Sequence, residues 1–331
     1  MRLAQGVASS VLRAPVGPLL ELPNPLMSAS GTFGSGWEGR SLSPLTRLGA
    51  LVSKTVTVAP RHGNPPPRIV ETAAGMLNSI GLENRGADAF LEHTLPRMQS
   101  LGPQVIVNIG GETTAEFVEL AERFGAAGVS ALEVNLSCPN VQEGRLLFST
   151  RPQLTEAVMR QVREAAPAPV PVFAKLSPNV TDVVEIAKAA EAGGADGITA
   201  INTLVGMAVD WRRREPVLGR RIGGLSGPAI KPVALRMVHE IATAVGIPVI
   251  GVGGVTSAED VLEFLVAGAS AVQLGTANFV DPAVMVGVLD ELERLVAEAD
   301  TTVRELVGSL TGGGGAAGCG NAYRPTEAAG R

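Results

Sequence analysis

Short apolar runs alternate with longer amphipathic stretches along most of this chain. Pro25–Ala29, Ala50–Lys54, Val105–Ile109, Ala131–Asn135, Pro171–Lys175, Gly197–Ile201, Pro248–Gly251 and Ala271–Leu274 are each four or five residues long and mainly aliphatic. That is the length and composition of buried strands. Between them Ala115–Phe124, Gln153–Glu164, Asp182–Ala192, Ala229–Val245, Ala258–Val266 and Ala283–Ala299 read as helices. Their starts carry capping chemistry: Thr181 then Asp182, Ser257 with Asp260 three residues later, and Asp281 with Pro282.

This alternation predicts a parallel sheet with helical crossovers, and eight strands favour a closed TIM (β/α)8 barrel over a doubly wound sheet. A doubly wound dinucleotide fold would open on G-x-G-x-x-G, which Gly31-Thr32-Phe33-Gly34-Ser35-Gly36 does not match. Two long connections, Thr55 to about Gly102 and Asn202 to Pro228, break the rhythm and are expected to shape an active site. Residues 1–299 are read as one barrel domain. Residues 300–331, with their run Gly312–Gly315, are read as a disordered tail.

Charge and composition narrow the function. The net charge is −5 and the basic clusters are short (Arg212–Arg214, then Arg220 and Arg221), so nucleic acid is not expected as a partner and the arginines read as a solvated loop. No apolar run reaches membrane-spanning length, and Arg13 interrupts the only signal-like stretch. Two cysteines, Cys138 and Cys319, form no disulfide framework; a cytoplasmic location is expected. His62, His93 and His239 have no metal-ligand spacing, and no metal is expected.

The chemistry-bearing residues follow the strands. Gly253-Gly254 after the seventh strand and Gly275-Thr276 after the eighth suit a phosphate approaching backbone N–H groups. The fourth strand runs into Asn135-Leu136-Ser137-Cys138-Pro139-Asn140. Its asparagines offer amide donors and acceptors to a polar planar ligand, and Pro139 keeps the thiol of Cys138 out of a helix. Lys54 and Lys175 each close an apolar strand, directing cations at the barrel mouth.

At this hexapeptide the chain resembles the class 1 dihydroorotate dehydrogenases, which carry cysteine where class 2 enzymes carry serine. Gly75-Met76-Leu77-Asn78-Ser79-Ile80-Gly81-Leu82-Glu83-Asn84 is similar to that family's substrate loop. Ile201-Asn202-Thr203-Leu204 and the stretch Gly223–Pro232 look closest to class 1B. The resemblance spans Asn24 to Asp290 and implies an FMN-binding barrel that oxidises dihydroorotate to orotate in pyrimidine biosynthesis. It implies FMN held by Ser30, Lys54, Thr55, Asn108, Asn135, Lys175, Ile201, Gly227, Gly253, Gly254, Gly275 and Thr276. It implies dihydroorotate held by Lys54, Asn78, Ser79, Ile80, Gly81, Leu82, Asn135, Asn140, Asn202 and Thr203. Cys138 would act as the catalytic base, with Lys54 beside it in the reacting centre.

The resemblance further implies a homodimer and, if class 1B holds, a separate subunit bearing FAD and an iron–sulfur cluster. This chain has neither the cysteines for a cluster nor a nicotinamide motif. The acceptor therefore stays open between NAD through such a subunit and a molecule such as fumarate. Residues Val141–Phe148 depart from the family's pattern, in which a second glycine and smaller residues are expected. Three rival readings remain: a dihydropyrimidine dehydrogenase-like flavoenzyme, a non-redox phosphate-binding lyase using Lys175, and a barrel that binds flavin only as an electron-relay or interaction subunit.

Overall fold

The computed structural model describes residues 8–136 and 148–311. Eight parallel strands close into a barrel: β1 Leu26–Ser28, β2 Ala50–Val52, β3 Gln104–Ile109, β4 Ala131–Asn135, β5 Val172–Lys175, β6 Gly197–Ala200, β7 Val249–Val252 and β8 Ala269–Leu274. Each pairs with its neighbours in chain order and β8 returns to β1, with Val272 opposite Leu26. The expected fold and its eight strands are those observed, with ends shifted by two residues or fewer.

Helices α1 Thr114–Gly125, α2 Pro152–Ala165, α3 Val183–Ala192, α4 Lys231–Ala244, α5 Ala258–Ala267 and α6 Val284–Glu298 follow β3 to β8 on the outside. Residues 86–99 form a further helical stretch, with a π turn at Phe90–Thr94, between β2 and β3. Among the described residues only a single 3-10 turn, Leu45–Arg47, stands between β1 and β2. The core packs these helices on the strands through Phe117, Phe124, Phe173 and Phe264, all fully buried. No helix among the described residues is long and apolar enough to cross a membrane.

Capping follows the sequence at two of the three places. Asp182 accepts from the N–H groups of Val184 and Glu185, and Ser257 with Asp260 closes a reciprocal capping box. Asp281 instead accepts from the N–H of Ala283 in a preceding turn, and the helix begins at Val284. The start of α4 also moves, from Ala229 to Lys231, because Pro228 opens a 3-10 turn and Pro232 lacks the N–H that a helix interior requires.

Residues 300–311, expected to belong to the tail, are instead packed on the barrel domain. Thr302 caps the short helix Val303–Leu306 in a capping box with Glu305, and Val303 is fully buried. The N–H of Gly308 then donates to the Leu265 carbonyl at 2.9 Å, which ties this segment to α5. Its apolar side chains, too few to suggest a helix in the sequence, suffice to dock one. Residues 312–331 lie outside the described residues.

The two long connections join each other above the barrel. Leu204–Met207, Ile222–Ser226, Gly75–Asn78 and Ile69–Thr72 pair antiparallel, in that order, as a four-stranded sheet. Leu77 lies opposite Leu225 and Asn78 opposite Gly224, so two segments far apart in the chain share one register. The arginines of the second connection are exposed, and Arg212 covers the ring of Trp211, itself 71% exposed.

Candidate active site

The carboxyl ends of the barrel strands and the overlying sheet enclose a cavity of about 400 Å³, within the range of small-molecule sites. Because inward positions recur every second residue along a strand, β4 sends Glu133 and Asn135 to the barrel interior. Glu133 is buried beneath the cavity. Its Oε1 accepts from Asn108 Nδ2 at 2.6 Å and Lys175 Nζ at 3.1 Å, and its Oε2 accepts from Gln273 Nε2 at 2.7 Å. Burial pushes the Glu133 carboxyl up, but the Lys175 ammonium and the hydrogen bonds from Gln273 and Asn108 outweigh it and hold the group below the ordinary carboxylate range.

Above this floor the asparagines are chained. Asn202 Nδ2 donates to Asn135 Oδ1 at 3.4 Å, and Asn135 Nδ2 donates to Thr55 Oγ1 at 3.3 Å. The amide of Asn202 is further fixed by the N–H of Thr203, which donates to its Oδ1 at 2.8 Å. From the sheet, Asn78 donates to the Gly224 carbonyl at 3.3 Å, and Thr276 Oγ1 donates to Ser226 Oγ at 2.8 Å. Lys54 lies just past β2, on the cavity wall and partly buried. Burial lowers its pKa below that of a free lysine; Glu83 pulls it up and Arg68 pushes it further down.

The glycines at the far end cannot be replaced. Gly254 has φ +75°, and a Cβ there would lie 2.7 Å from Lys231 Cβ and 2.9 Å from the Gly227 carbonyl oxygen. Gly227 has φ +96° and packs against Gly75, whose Cα a Cβ would approach to 2.6 Å. Gly254→Ala is therefore expected to cost about 1–3 kcal/mol in stability; thermal melting checks this, and an unchanged melting temperature would show that the turn tolerates a side chain.

The residues present fit the group that the resemblance implies. Asn108 Oδ1 is buried and has no hydrogen-bond partner among the described residues. Because the Glu133 carboxylate only accepts, it takes the NH2 side of that amide and turns the carbonyl away. The ring imide N–H of FMN is a donor of the kind this oxygen lacks, and the tight glycine turns suit its phosphate. Among the described residues no group of three His, Cys, Asp or Glu side chains is placed to hold a metal ion.

Of the expected cofactor residues, Ser30, Lys54, Thr55, Asn108, Asn135, Lys175, Ile201, Gly227, Gly253, Gly254, Gly275 and Thr276 all line this one cavity. So do Asn78, Ile80, Gly81, Leu82, Asn202 and Thr203 of the substrate set. Ser79 does not: it is buried, and its hydroxyl accepts from Asn64 Nδ2 at 3.1 Å. In the strand-like register of its loop it faces away from Asn78 and Ile80. Cys138 and Asn140 lie outside the described residues. The sequence reading missed Glu133 and Gln273, for which the available signal was a polar residue at an inward position of an otherwise aliphatic strand.

Fold and cavity together define a (β/α)8 barrel with a polar site of small-molecule size at its strand ends. Comparison with known proteins then gives the family. The dihydroorotate dehydrogenase family model matches residues 17–296. Relatives named dihydroorotate dehydrogenase B (NAD(+)), catalytic subunit, include one from Bacillus pumilus, 51% identical over 88% of this chain and 94% of that protein. One from Trichlorobacter lovleyi is 52% identical over 88% of this chain and 96% of that protein. The chain belongs to the dihydroorotate dehydrogenase family, and its similarity to the B-type catalytic subunits places it with class 1B.

Proposed function

We propose that this chain oxidises dihydroorotate to orotate in pyrimidine biosynthesis with FMN held in the cavity described above, and that Cys138 is the base. The supporting observation is one enclosed site that joins tight glycine turns, two lysines and a chain of asparagines in a member of this family. FMN, when bound, supplies the acceptor for the hydride from carbon six of the substrate ring.

The chain's own groups do the rest. Cys138 removes the proton from carbon five. Asn78, Asn135, Asn140 and Asn202 meet the ring's amides and carbonyls, and such matched polar groups reject analogues that lack them. Lys54 offers its ammonium to the carboxylate, and Lys175 sets positive charge under the ring that takes up electrons. Main-chain groups of Ile80, Gly81 and Leu82 complete the wall, while Ser79 acts by anchoring that loop through Asn64.

Mixing the purified protein anaerobically with dihydroorotate should bleach its flavin band, and dihydrouracil should not. Bleaching by dihydrouracil alone would overturn the reading. The name of the relatives, catalytic subunit with NAD(+), supports a further subunit and NAD as the final acceptor; FAD and an iron–sulfur cluster on that subunit are part of the proposal. A homodimer and a cytoplasmic location complete the proposal.

The depressed pKa of Lys54 gives a pH prediction. The ammonium is present below that pKa and lost above it, so carboxylate binding weakens as pH rises through a range where a free lysine would still be charged. Orotate titrations read by flavin absorbance should show this alkaline weakening in the wild type and lose it in Lys54→Met. A wild-type affinity with the same alkaline pH dependence as that of Lys54→Met would refute the role.

A further inference from the structure

We propose that Glu133 is a positioning residue, outside the cavity wall, that offsets the charge of Lys175 and thereby sets the reduction potential of the bound flavin. The proposal rests on the FMN reading given above. Its geometry is that of a hub. One buried carboxylate receives Lys175, Asn108 and Gln273 at 3.1, 2.6 and 2.7 Å, from three other barrel strands. Asn108 and Lys175 line the cavity; Glu133 and Gln273 lie behind them.

The arrangement exceeds what packing needs. A buried ion pair is seldom worth more to stability than apolar residues of the same volume. Glu133 is nevertheless fully buried inside the barrel. Its effect on the site is electrical. Two-electron reduction places negative charge on the flavin, and a lone ammonium at the floor would stabilise that charge strongly in a medium of low dielectric. A carboxylate 3.1 Å from the same ammonium cancels much of its field. Gln273, whose Oε1 also accepts from Lys175 at 3.4 Å, holds the ammonium on the carboxylate side. The floor thus keeps a cation in place while limiting how far it favours the reduced cofactor, which must still pass its electrons on.

The test is the midpoint potential of the flavin-loaded protein. At pH 7 and below, Glu133→Gln should raise it by about 30 mV or more, the equivalent of a tenfold gain in preference for the reduced flavin. Lys175→Met should lower it. In the Lys175→Met background the buried carboxyl has lost its counter-ion and takes up a proton, so adding Glu133→Gln should change nothing further. An unchanged or lowered potential in Glu133→Gln, or the same rise with and without Lys175, overturns the proposal. Should Glu133→Gln not hold its fold, Glu133→Asp keeps the charge but shortens its reach; it should raise the potential by a smaller amount, and no shift would count against the idea. A wild-type protein that retains no flavin, or whose flavin dihydroorotate does not reduce, would instead sink the underlying reading.

Discussion

Exchange of Cys138 for alanine is expected to slow flavin reduction by dihydroorotate by about 10²–10⁴, the usual contribution of a general base, while flavin stays bound. Among the described residues the cavity wall offers lysines, which are cations at neutral pH, asparagine amides, which do not accept protons, and one carboxylate, Glu83, which is paired with Arg68 at 2.6 Å. A free thiol titrates near 8.5, so the wild-type rate should climb as pH rises towards that value. Cys138→Ser should retain a weaker base whose deficit shrinks with rising pH. Anaerobic stopped-flow measurement of flavin bleaching, pH by pH, checks each expectation. A normal rate in Cys138→Ala would show that the proton leaves by another route.

The second large effect is on stability. Lys175→Met removes the counter-ion of a fully buried carboxylate, and breaking such a pair from one side costs about 3–5 kcal/mol. The sign of the pH dependence should also reverse. In the wild type Glu133 is held low, so its contribution is present above the unfolded carboxyl pKa and is lost as acid brings the pH down through the folded value. Without Lys175 burial dominates, the folded pKa rises above the unfolded one, and the variant weakens as pH increases through that window. The gap in melting temperature between the two proteins should therefore be wider at pH 8 than at pH 5. The neutral pair Glu133→Gln with Lys175→Met should recover much of the loss. Equal melting temperatures for Lys175→Met and wild type at pH 8 would show that the pair carries no such burden.

The barrel was legible because its strands are buried on both faces and so read as mainly aliphatic runs, some of them ended by a polar residue such as Asn135 or Lys175. The residues that matter for binding sit at those ends, which is why Lys54, Asn108, Asn135 and Lys175 fall on one cavity. The overlying sheet was not legible as a sheet. Ile69–Thr72 and Gly75–Asn78 are only four residues each, the first half exposed and the second half buried, and the partner of Gly75–Asn78 lies in a connection well over a hundred residues away. Glu133 escaped for the opposite reason. A single carboxylate within Ala131–Asn135 gives no sign of its three donors until the neighbouring strand brings Lys175 to it and a strand from across the barrel brings Gln273. Ser79 was assigned by its neighbours in the loop, whereas its side chain follows the alternation of an extended segment and turns to Asn64.

The pairing of Gly75–Asn78 with Ile222–Ser226 bears on how substrate preference could change in this barrel. A one-residue slip of either segment would turn every side chain on it to the opposite face, carrying Asn78 off the cavity. Grafting a foreign loop at one position alone would therefore scramble the site, whereas exchanging both partners together would keep it in frame. The two stretches behave as a single heritable cassette, and laboratory redesign for other cyclic amides would have to move them as one.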